Sequence, residues 1–382
     1  MRMTTEGMLL RRARLERGWS QEGLCRGVCT VSYLSKIERG SAVAAPELLR
    51  QLFARMDIDW HNAPEEVQCL RETVEAAYDA LFSHRMTQFV ALAKTLDAQK
   101  CSPFAPDAML LSAFAASERK PLAAELEPCL DTRQLSLQRA LQGRFSEAVA
   151  LYPRAYFYYM AGNDAYWRGE NYSAALGLLQ TGYELAAQEG AAHLMLLCRT
   201  TAGSCYCNLL DVPNMLAQYA VAERLCKALN DTELLETIHY NIASARLETG
   251  DFATAYAYFS AVSEPSVMTL HKLAICCEKL GRQEEALEAL DRADAMQSEY
   301  PDTQTARRLC GLVRMRLEDP DYLHNEAYGK MLLRCFDDCR SRLPVGYASF
   351  HLPWVLEWYT ASRQYKQAYE LMRDFPYLIL KS

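Results

Sequence analysis

The sequence predicts an all-α protein in which a small N-terminal helical domain precedes a longer body of repeated helices. The 382 residues are 50% hydrophobic, so the chain can bury a large core and is too long for one small domain. From Val67 onward there is no extended alternation of β-branched residues and no Asn-Gly hairpin turn, which argues against strands. Helical segments separated by turn residues recur instead. We therefore assign residues 1–60 to the first domain and residues 61–382 to the second.

The segment 20–40 predicts two short helices joined by a tight turn. Ser20 and Thr30 are good N-cap residues, and Gly27 favours a stop between the helices. If the second helix buries its apolar side, it leaves a small, polar, mildly basic face that can enter a DNA major groove. This face consists of Ser32, Tyr33, Ser35, Lys36 and Arg39. Periodicity alone does not separate this interpretation from an ordinary pair of capped helices.

Flanking helices complete the predicted N-terminal domain. Residues 8–17 form a first helix that ends at Gly18, and Pro46 begins a later one. The segment 57–66 contains Pro64 and breaks the helical pattern, so we place the domain boundary there.

Charge is distributed unevenly along the chain. The formal net charge is −7, yet residues 1–60 carry ten Lys and Arg against seven Asp and Glu. A weakly basic N-terminal domain on an acidic body is compatible with DNA contact at one end only.

Targeting signals and metal motifs are missing from the sequence. The N-terminus has a three-residue apolar run before a cluster of arginines, and no window offers the roughly 18 apolar residues of a membrane helix. We expect a cytoplasmic protein with no membrane association and with reduced thiols. Close cysteine pairs each make at most half of a zinc site, so we expect them to pack and bind no metal. These pairs are Cys25/Cys29, Cys205/Cys207 and Cys335/Cys339.

Catalytic motifs do not occur either. No Walker loop, GxSxG or HExxH is found, and the seven histidines lack metal-ligand spacing. We expect neither an enzyme nor a cofactor, and we name no catalytic residue.

The N-terminal segment resembles the phage-repressor (XRE) class of helix-turn-helix domains. The resemblance rests on Leu10, Arg14, Gly18, Ser20-Gln21, Leu24 and the run SYLSKIERG that ends at Gly40. The turn GVCTVS is similar to that of the peptide-responsive regulators of the Rgg/PlcR/PrgX (RRNPP) group. Gly23 and Gly27 depart from the usual polar residues, which predicts a short first helix because mid-helix glycine costs about 1 kcal/mol. The resemblance implies an ion pair between Arg14 and Glu38.

We assign DNA contacts to both helices of the motif. Gln21 and Arg39 are expected to hold phosphate, whereas Ser32, Tyr33 and Lys36 are expected to project from the second helix towards the bases. The full set is Gln21, Val31, Ser32, Tyr33, Ser35, Lys36 and Arg39.

Five segments of the body share a pattern, in which a turn precedes an aromatic or polar residue and then alanine. They are GRFSEAVAL, RGENYSAALGLL, TGDFATAYAYF, LGRQEEALEAL and SRQYKQAYELM. Small residues precede several of these turns, at Gly162, Gly203, Ala243 and Ala274. The units resemble tetratricopeptide (TPR) repeats, although spacings of 41, 40 and 31 residues depart from a strict period. Residues 101–133 contain four prolines and fit no repeat.

At least five such repeats would stack into a right-handed superhelix with a concave groove. TPR register places a set of polar and aromatic side chains in that groove, where Asn can pair with a peptide bond as both donor and acceptor. The predicted peptide-binding residues are Tyr159, Asn163, Tyr166, Asn208, Tyr240, Asn241 and His271. The alternative for the run YFYYMAGNDAYW is a crowded helix interface.

Together these features predict a transcription regulator that senses a short signalling peptide, as in quorum sensing. Helix-turn-helix domains of this size usually bind half-sites as dimers, so we expect a homodimer on an inverted-repeat operator. Two alternatives stay open. One is an adaptor or inhibitor whose groove holds another protein, and the other is a ligand-independent repressor that uses the solenoid only to oligomerise.

Overall fold

In a computed structural model, the structure describes residues 4–61, 63–97, 99–169, 171–209, 211–296, 301–342 and 345–374. These residues form α-helices, two short 3-10 helices and no strand, which confirms the predicted all-α class. Among the described helices, none combines the length and the apolar character that crossing a membrane requires.

The N-terminal domain contains four helices: α1 (Thr5–Glu16), α2 (Gln21–Cys25), α3 (Val31–Glu38) and α4 (Pro46–Ala54). Ser20 and Thr30 accept hydrogen bonds from backbone N–H groups of α2 and α3, so both predicted N-caps are confirmed. Helix α1 begins three residues before the predicted start, because the side chain of Thr4 caps it. The short α2 agrees with the prediction, since it contains Gly23 and ends before Gly27, which has a positive φ.

The core of this domain is formed by side chains from all four helices. Trp60 from the following segment also joins the core, and its ring stacks on that of Phe53 at 4.4 Å. The segment that breaks the helical pattern is therefore packed against the domain. The fully buried members include Leu10, Leu24, Leu34, Ile37, Leu52 and Phe53.

Helices α5 to α9 follow: α5 (Pro64–Phe82), α6 (Met86–Asp97), α7 (Ala105–Ala115), α8 (Thr132–Leu141) and α9 (Phe145–Leu151), with a 3-10 helix at Ala124–Cys129 between α7 and α8. The proline-rich segment is held by a buried polar network. Asp107 accepts hydrogen bonds from the Tyr78 hydroxyl at 2.8 Å and from the Gln134 amide at 2.9 Å. Met8 of α1 packs on the 3-10 helix through Leu126.

The remaining helices are α10 (Ala155–Arg168), α11 (Tyr172–Glu189), α12 (Ala192–Asn208), α13 (Val212–Leu229), α14 (Thr232–Glu248), α15 (Phe252–Ala261), α16 (Val267–Lys279), α17 (Gln283–Ala295), α18 (Pro301–Glu318), α19 (Glu326–Arg342), α20 (Val345–Ala361) and α21 (Tyr365–Asp374). A 3-10 helix, Tyr322–His324, precedes α19. By packing, the chain divides into two compact units. Unit 1 comprises residues 4–162 and 178–195, and unit 2 comprises residues 163–177 and 196–374.

Within unit 2, successive helices pack as hairpins, and the first helices of neighbouring hairpins also touch. Helix α16 contacts α17 and α18 and also reaches α14, the contact pattern of a TPR-like solenoid. The small residue Gly203 acts as the repeat pattern predicts, because a Cβ there would overlap the ring of Tyr219 on α13. Helices α9, α11, α15, α17 and α21 begin in the five repeated segments.

Candidate functional sites

Helix α3 presents the predicted DNA-reading face to solvent. Leu34 and Ile37 are fully buried against the domain core and fix the rotation of the helix. Val31, Ser32, Lys36 and Arg39 are exposed, whereas Tyr33 and Ser35 are half-buried. The N-cap Thr30 starts this helix, so the side chains from Val31 to Lys36 project from its first two turns, and Arg39 is its C-cap residue.

Two of these side chains are partly engaged within the domain. The Tyr33 hydroxyl donates to the carbonyl oxygen of Val43 at 3.2 Å, and Arg39 Nε donates to the Ser35 carbonyl at 3.1 Å. These bonds orient the two side chains on the surface. The two terminal nitrogens of Arg39 have no partner among the described residues and can reach a phosphate.

The predicted ion pair between Arg14 and Glu38 is confirmed. Arg14 Nε and Nη2 donate to the two carboxylate oxygens of Glu38 at 2.6 and 2.8 Å, and both side chains are buried. The hydrogen bond to Glu38 raises the pKa of Arg14. Gln21 Nε2 also donates to Glu38, at 2.8 Å. This contact within the domain was not predicted for Gln21, which the sequence assigned to phosphate binding alone. The second N–H of the same amide could still donate to a phosphate.

A cavity of about 200 Å³ lies within unit 2. The residues of its wall come from α10, α12, α14, α16 and α20. Five of the seven residues predicted to bind peptide line it, namely Tyr166, Asn208, Tyr240, Asn241 and His271. The structure thus brings together side chains that are more than 100 residues apart in the sequence.

The other two predicted residues lie elsewhere. Asn163 is half-buried on α10 and does not line the cavity, which reaches only the last turn of that helix. Tyr159 belongs to unit 1, where its ring packs edge-on against His84 at 6.0 Å. TPR register gives the face of a helix but not how far along it the cavity extends.

Helix α20 supplies a wall of the cavity that the sequence analysis missed. Gly346, Tyr347, Phe350 and His351 share one face of this helix and line the cavity. A Cβ at Gly346 would overlap the amide oxygen of Asn208, so the glycine permits this approach. The helical spacing of these four residues is visible in the sequence, but α20 carries none of the small residues from which the repeat register was counted, so the register did not include it.

A lysine is buried in the wall of the cavity. Lys272 Nζ donates to Ser244 Oγ at 2.5 Å and lies 4.6 Å from the centre of the Tyr240 ring. Tyr347 and Phe350 place their rings within 6 Å of the same nitrogen. Burial lowers the pKa of Lys272.

Two histidines are completely buried beside this lysine. The rings of His271 and His351 stack at 5.5 Å, and His351 Nδ1 hydrogen-bonds the carbonyl oxygen of Tyr347 at 2.8 Å. Burial lowers the pKa of His271 well below its usual value and that of His351 to about 4, so both rings are neutral at pH 7. Glu248 also lines the cavity, and burial raises its pKa to about 7.

This arrangement suits binding through hydrogen bonds and apolar contact. Tyr, Phe and Met side chains give the cavity apolar walls, and the amides, imidazoles and ammonium give it a few convergent polar groups. In the described part of the chain, no group of three His, Cys, Asp or Glu residues is placed to hold a metal ion.

Comparison with known proteins identifies the N-terminal domain. Residues 10–60 match the helix-turn-helix family model. Among solved structures, the chain is similar to the Bacillus thuringiensis protein PlcR in a crystal structure with the peptide PapR7 and DNA, at 14% identity. That match covers 76% of this chain and 95% of PlcR with a TM-score of 0.29, too low to support an argument. No curated protein matches. Residues 10–60 are therefore a DNA-binding helix-turn-helix domain.

Proposed function

We propose that this protein is a transcription regulator that binds operator DNA through α3 and a short signalling peptide through the cavity of unit 2. The observation that carries the proposal is the convergence of Tyr166, Asn208, Tyr240, Asn241 and His271 on one cavity. Repeat register alone predicts that these residues share a groove, and their meeting at one cavity supports that interpretation. Within the run YFYYMAGNDAYW, Tyr166 lines the cavity whereas Tyr159 packs against His84 in unit 1, so most of that run fits a crowded helix interface.

The chemistry of the cavity wall supports a peptide ligand. Asn241 uses one N–H to reach the Tyr219 hydroxyl at 3.1 Å, which leaves its carbonyl oxygen and its second N–H for a peptide bond. Tyr219 is buried and also lies 3.2 Å from Ser204 Oγ, so this amide is held in place before a ligand arrives. Tyr240 and Phe350 offer apolar walls for a side chain.

The regulator would act as a homodimer on an inverted-repeat operator. One helix-turn-helix domain contacts one half-site, so specific binding of this class usually needs two domains. Helix α21 offers a surface for a second copy, since Tyr365, Tyr369 and Met372 are exposed at positions i, i+4 and i+7.

The test is an electrophoretic mobility shift assay on the DNA upstream of the protein's own gene. The full chain is titrated with and without synthetic peptides that correspond to small open reading frames beside that gene. We expect a specific shift whose midpoint one peptide changes. A specific shift that no peptide changes would support a ligand-independent repressor instead.

A second candidate function is an adaptor whose cavity receives part of another protein. The observation that favours it is the small cavity volume of about 200 Å³. If a folded chain binds no peptide but is captured with one defined protein partner, this candidate replaces peptide sensing.

A further inference from the structure

The ammonium group of Lys272 lacks a close counter-ion. Its side chain is buried and has no ion pair within 4.0 Å among the described residues, although the carboxyl group of Glu248 in the same cavity wall is near enough to raise its pKa. The nitrogen instead donates to Ser244 Oγ and faces three aromatic rings. Burying an ammonium without a paired anion is costly, and hydroxyl and ring contacts offset only part of that cost. A ligand anion placed beside Nζ would offset the rest of that cost.

The neighbouring histidines add directed hydrogen-bonding groups. Neither ring nitrogen of His271 has a partner among the described residues, so its neutral ring offers one donor and one acceptor. His351 must carry its proton on Nδ1, because that nitrogen faces the carbonyl oxygen of Tyr347. His351 Nε2 is then an unpaired acceptor. These three nitrogens are enclosed, with almost no accessible surface, so a ligand reaches them only by displacing neighbouring side chains.

We infer that the cavity binds a carboxylate of its ligand at Lys272, so that it selects carboxylate-bearing peptides. This inference rests on the proposed peptide-sensing function and specifies the chemistry of the peptide. Two sources of the group are open, the free C-terminus and an Asp or Glu side chain. Both present the same two oxygens to Lys272.

Glu248 is the other ionisable carboxyl group in the cavity wall. Burial raises its pKa to about 7, and Lys272 acts in the opposite direction. A ligand carboxylate would raise this pKa further, so Glu248 would take up a proton as the ligand binds. The thiol of Cys207 is neutral, because burial raises its pKa to about 12. Lys272 is the one lysine or arginine among the described residues that line the cavity, and the nearby Glu248 favours its charged form.

The experiment uses the full chain and four pools of random synthetic heptapeptides. The pools have a free C-terminal acid or a C-terminal amide, and each form is made with and without Asp and Glu. Bound peptides are separated by rapid gel filtration and quantified by mass spectrometry. We expect retention from pools that carry a carboxylate and none from the amide pool without Asp and Glu. The two intermediate pools distinguish the C-terminus from an acidic side chain.

Calorimetry on one retained peptide then tests the residue. Lys272→Met removes the charge and nearly keeps the volume, and we expect it to weaken binding by at least about tenfold, the loss of a hydrogen bond to a charged group. Lys279→Met is the matched control, since Lys279 is exposed on the same helix. This control should bind as the wild type does. Thermal melts establish that both variants fold, and the comparison of acid and amide peptides on the wild type needs no variant.

Failure of this inference differs from failure of the proposed function. If the carboxylate-free pool is retained equally, or if folded Lys272→Met binds the peptide with unchanged affinity, carboxylate recognition is wrong while peptide sensing stands. If the wild type retains no peptide from any pool, the proposed peptide sensing and this inference are both overturned.

Discussion

We expect the exposed side chains of α3 and its C-cap to divide into base contacts and phosphate contacts, which different substitutions can separate. Ser32→Ala should reduce the difference in binding free energy between cognate and random DNA by about 1–3 kcal/mol, because a lost base contact weakens only the cognate complex. Arg39→Ala should weaken binding to all sequences and lower the salt dependence by about one counterion. Fluorescence anisotropy on cognate and random duplexes at several salt concentrations measures both effects. Unchanged preference in Ser32→Ala would remove this residue from the reading face.

The pair formed by Arg14 and Glu38 is structural, and its loss should destabilise the DNA-binding domain. Glu38→Ala leaves a buried guanidinium without its anion, which costs roughly 3–5 kcal/mol. Hydrogen exchange should then show lost protection in α1 to α4 but not in α16 to α20.

Glu47→Ala is the matched control for this experiment. Glu47 pairs with Arg50 at 2.7 Å on the surface, where an ion pair is worth about 0–1 kcal/mol. Equal exchange in the two variants would show that the buried pair contributes no more than a surface pair.

Burial of His351 predicts an acid sensitivity. Its pKa is about 4 in the folded chain and 6.5 in the unfolded chain, so the unfolded state binds more protons between these values. The stability that this residue contributes is complete above pH 6.5 and is lost as the pH falls towards 4, by at most about 1.4 kcal/mol per pH unit.

His351→Gln keeps a neutral polar side chain and removes this titration. Thermal midpoints of wild type and variant, measured from pH 7.5 to pH 4.5, should show the wild type losing more stability on acidification. Glu248, whose pKa is raised, and His271, whose pKa is lowered, are present in both proteins. Their effects therefore largely cancel when the thermal midpoints of wild type and variant are subtracted. Parallel curves would mean that His351 is not buried as a neutral ring.

At the level of the helices, the contact between α12 and α13 depends on glycine. Gly203→Ala would push the new methyl group into Tyr219, whose hydroxyl lies beside Asn241 and Ser204 in the cavity wall. We expect a loss of about 1–3 kcal/mol from overpacking. Gly177→Ala on α11 is the control, because its added Cβ meets no atom within 4 Å and helix propensity favours alanine by about 1 kcal/mol.

Urea denaturation followed by circular dichroism compares the two alanine variants. The midpoint should fall for Gly203→Ala and stay or rise for Gly177→Ala. Equal midpoints would show that Tyr219 can move aside at little cost.

Local signals in the sequence were sufficient for most of the helices. Ser20, Thr30 and Pro46 act on the residues next to them, so each predicted start agrees with the structure. The structure of the segment 101–133 could not be predicted from the sequence, because a buried hydrogen bond to the distant Tyr78 holds it in place. A hydrogen bond between residues far apart in the chain produces no periodic pattern in the sequence.

The candidate site was predictable only as far as the repeat register extends. That register placed Asn208 and Asn241 on the cavity correctly, because each lies on the inner face of its helix. It could not find the face that includes Phe350 and His351, since a sequence pattern does not tell which later helix closes a cavity. Nor could it show that Lys272 has no ion pair within 4.0 Å among the described residues, because that depends on distances between helices.

For the whole molecule, the proposed regulation requires a coupling free energy between cavity and DNA. If a peptide changes the affinity for operator DNA by some factor, the operator must change the affinity for the peptide by the same factor. Couplings of this kind are typically about 1–3 kcal/mol, or roughly 5- to 150-fold. The reciprocal measurement separates true coupling from a peptide that merely interferes with the assay.

The central claim is that one cavity of this DNA-binding protein senses a peptide, and calorimetry on Asn241→Ala tests it most directly. With a peptide retained by the wild type, we expect affinity to fall by about tenfold or more, since a desolvated peptide bond would lose its partner. Affinity of the free protein for DNA should not change. Asn163→Ala is the internal comparison, because it tests whether the groove extends beyond the cavity. Equal peptide affinity for Asn241→Ala and the wild type would contradict the account.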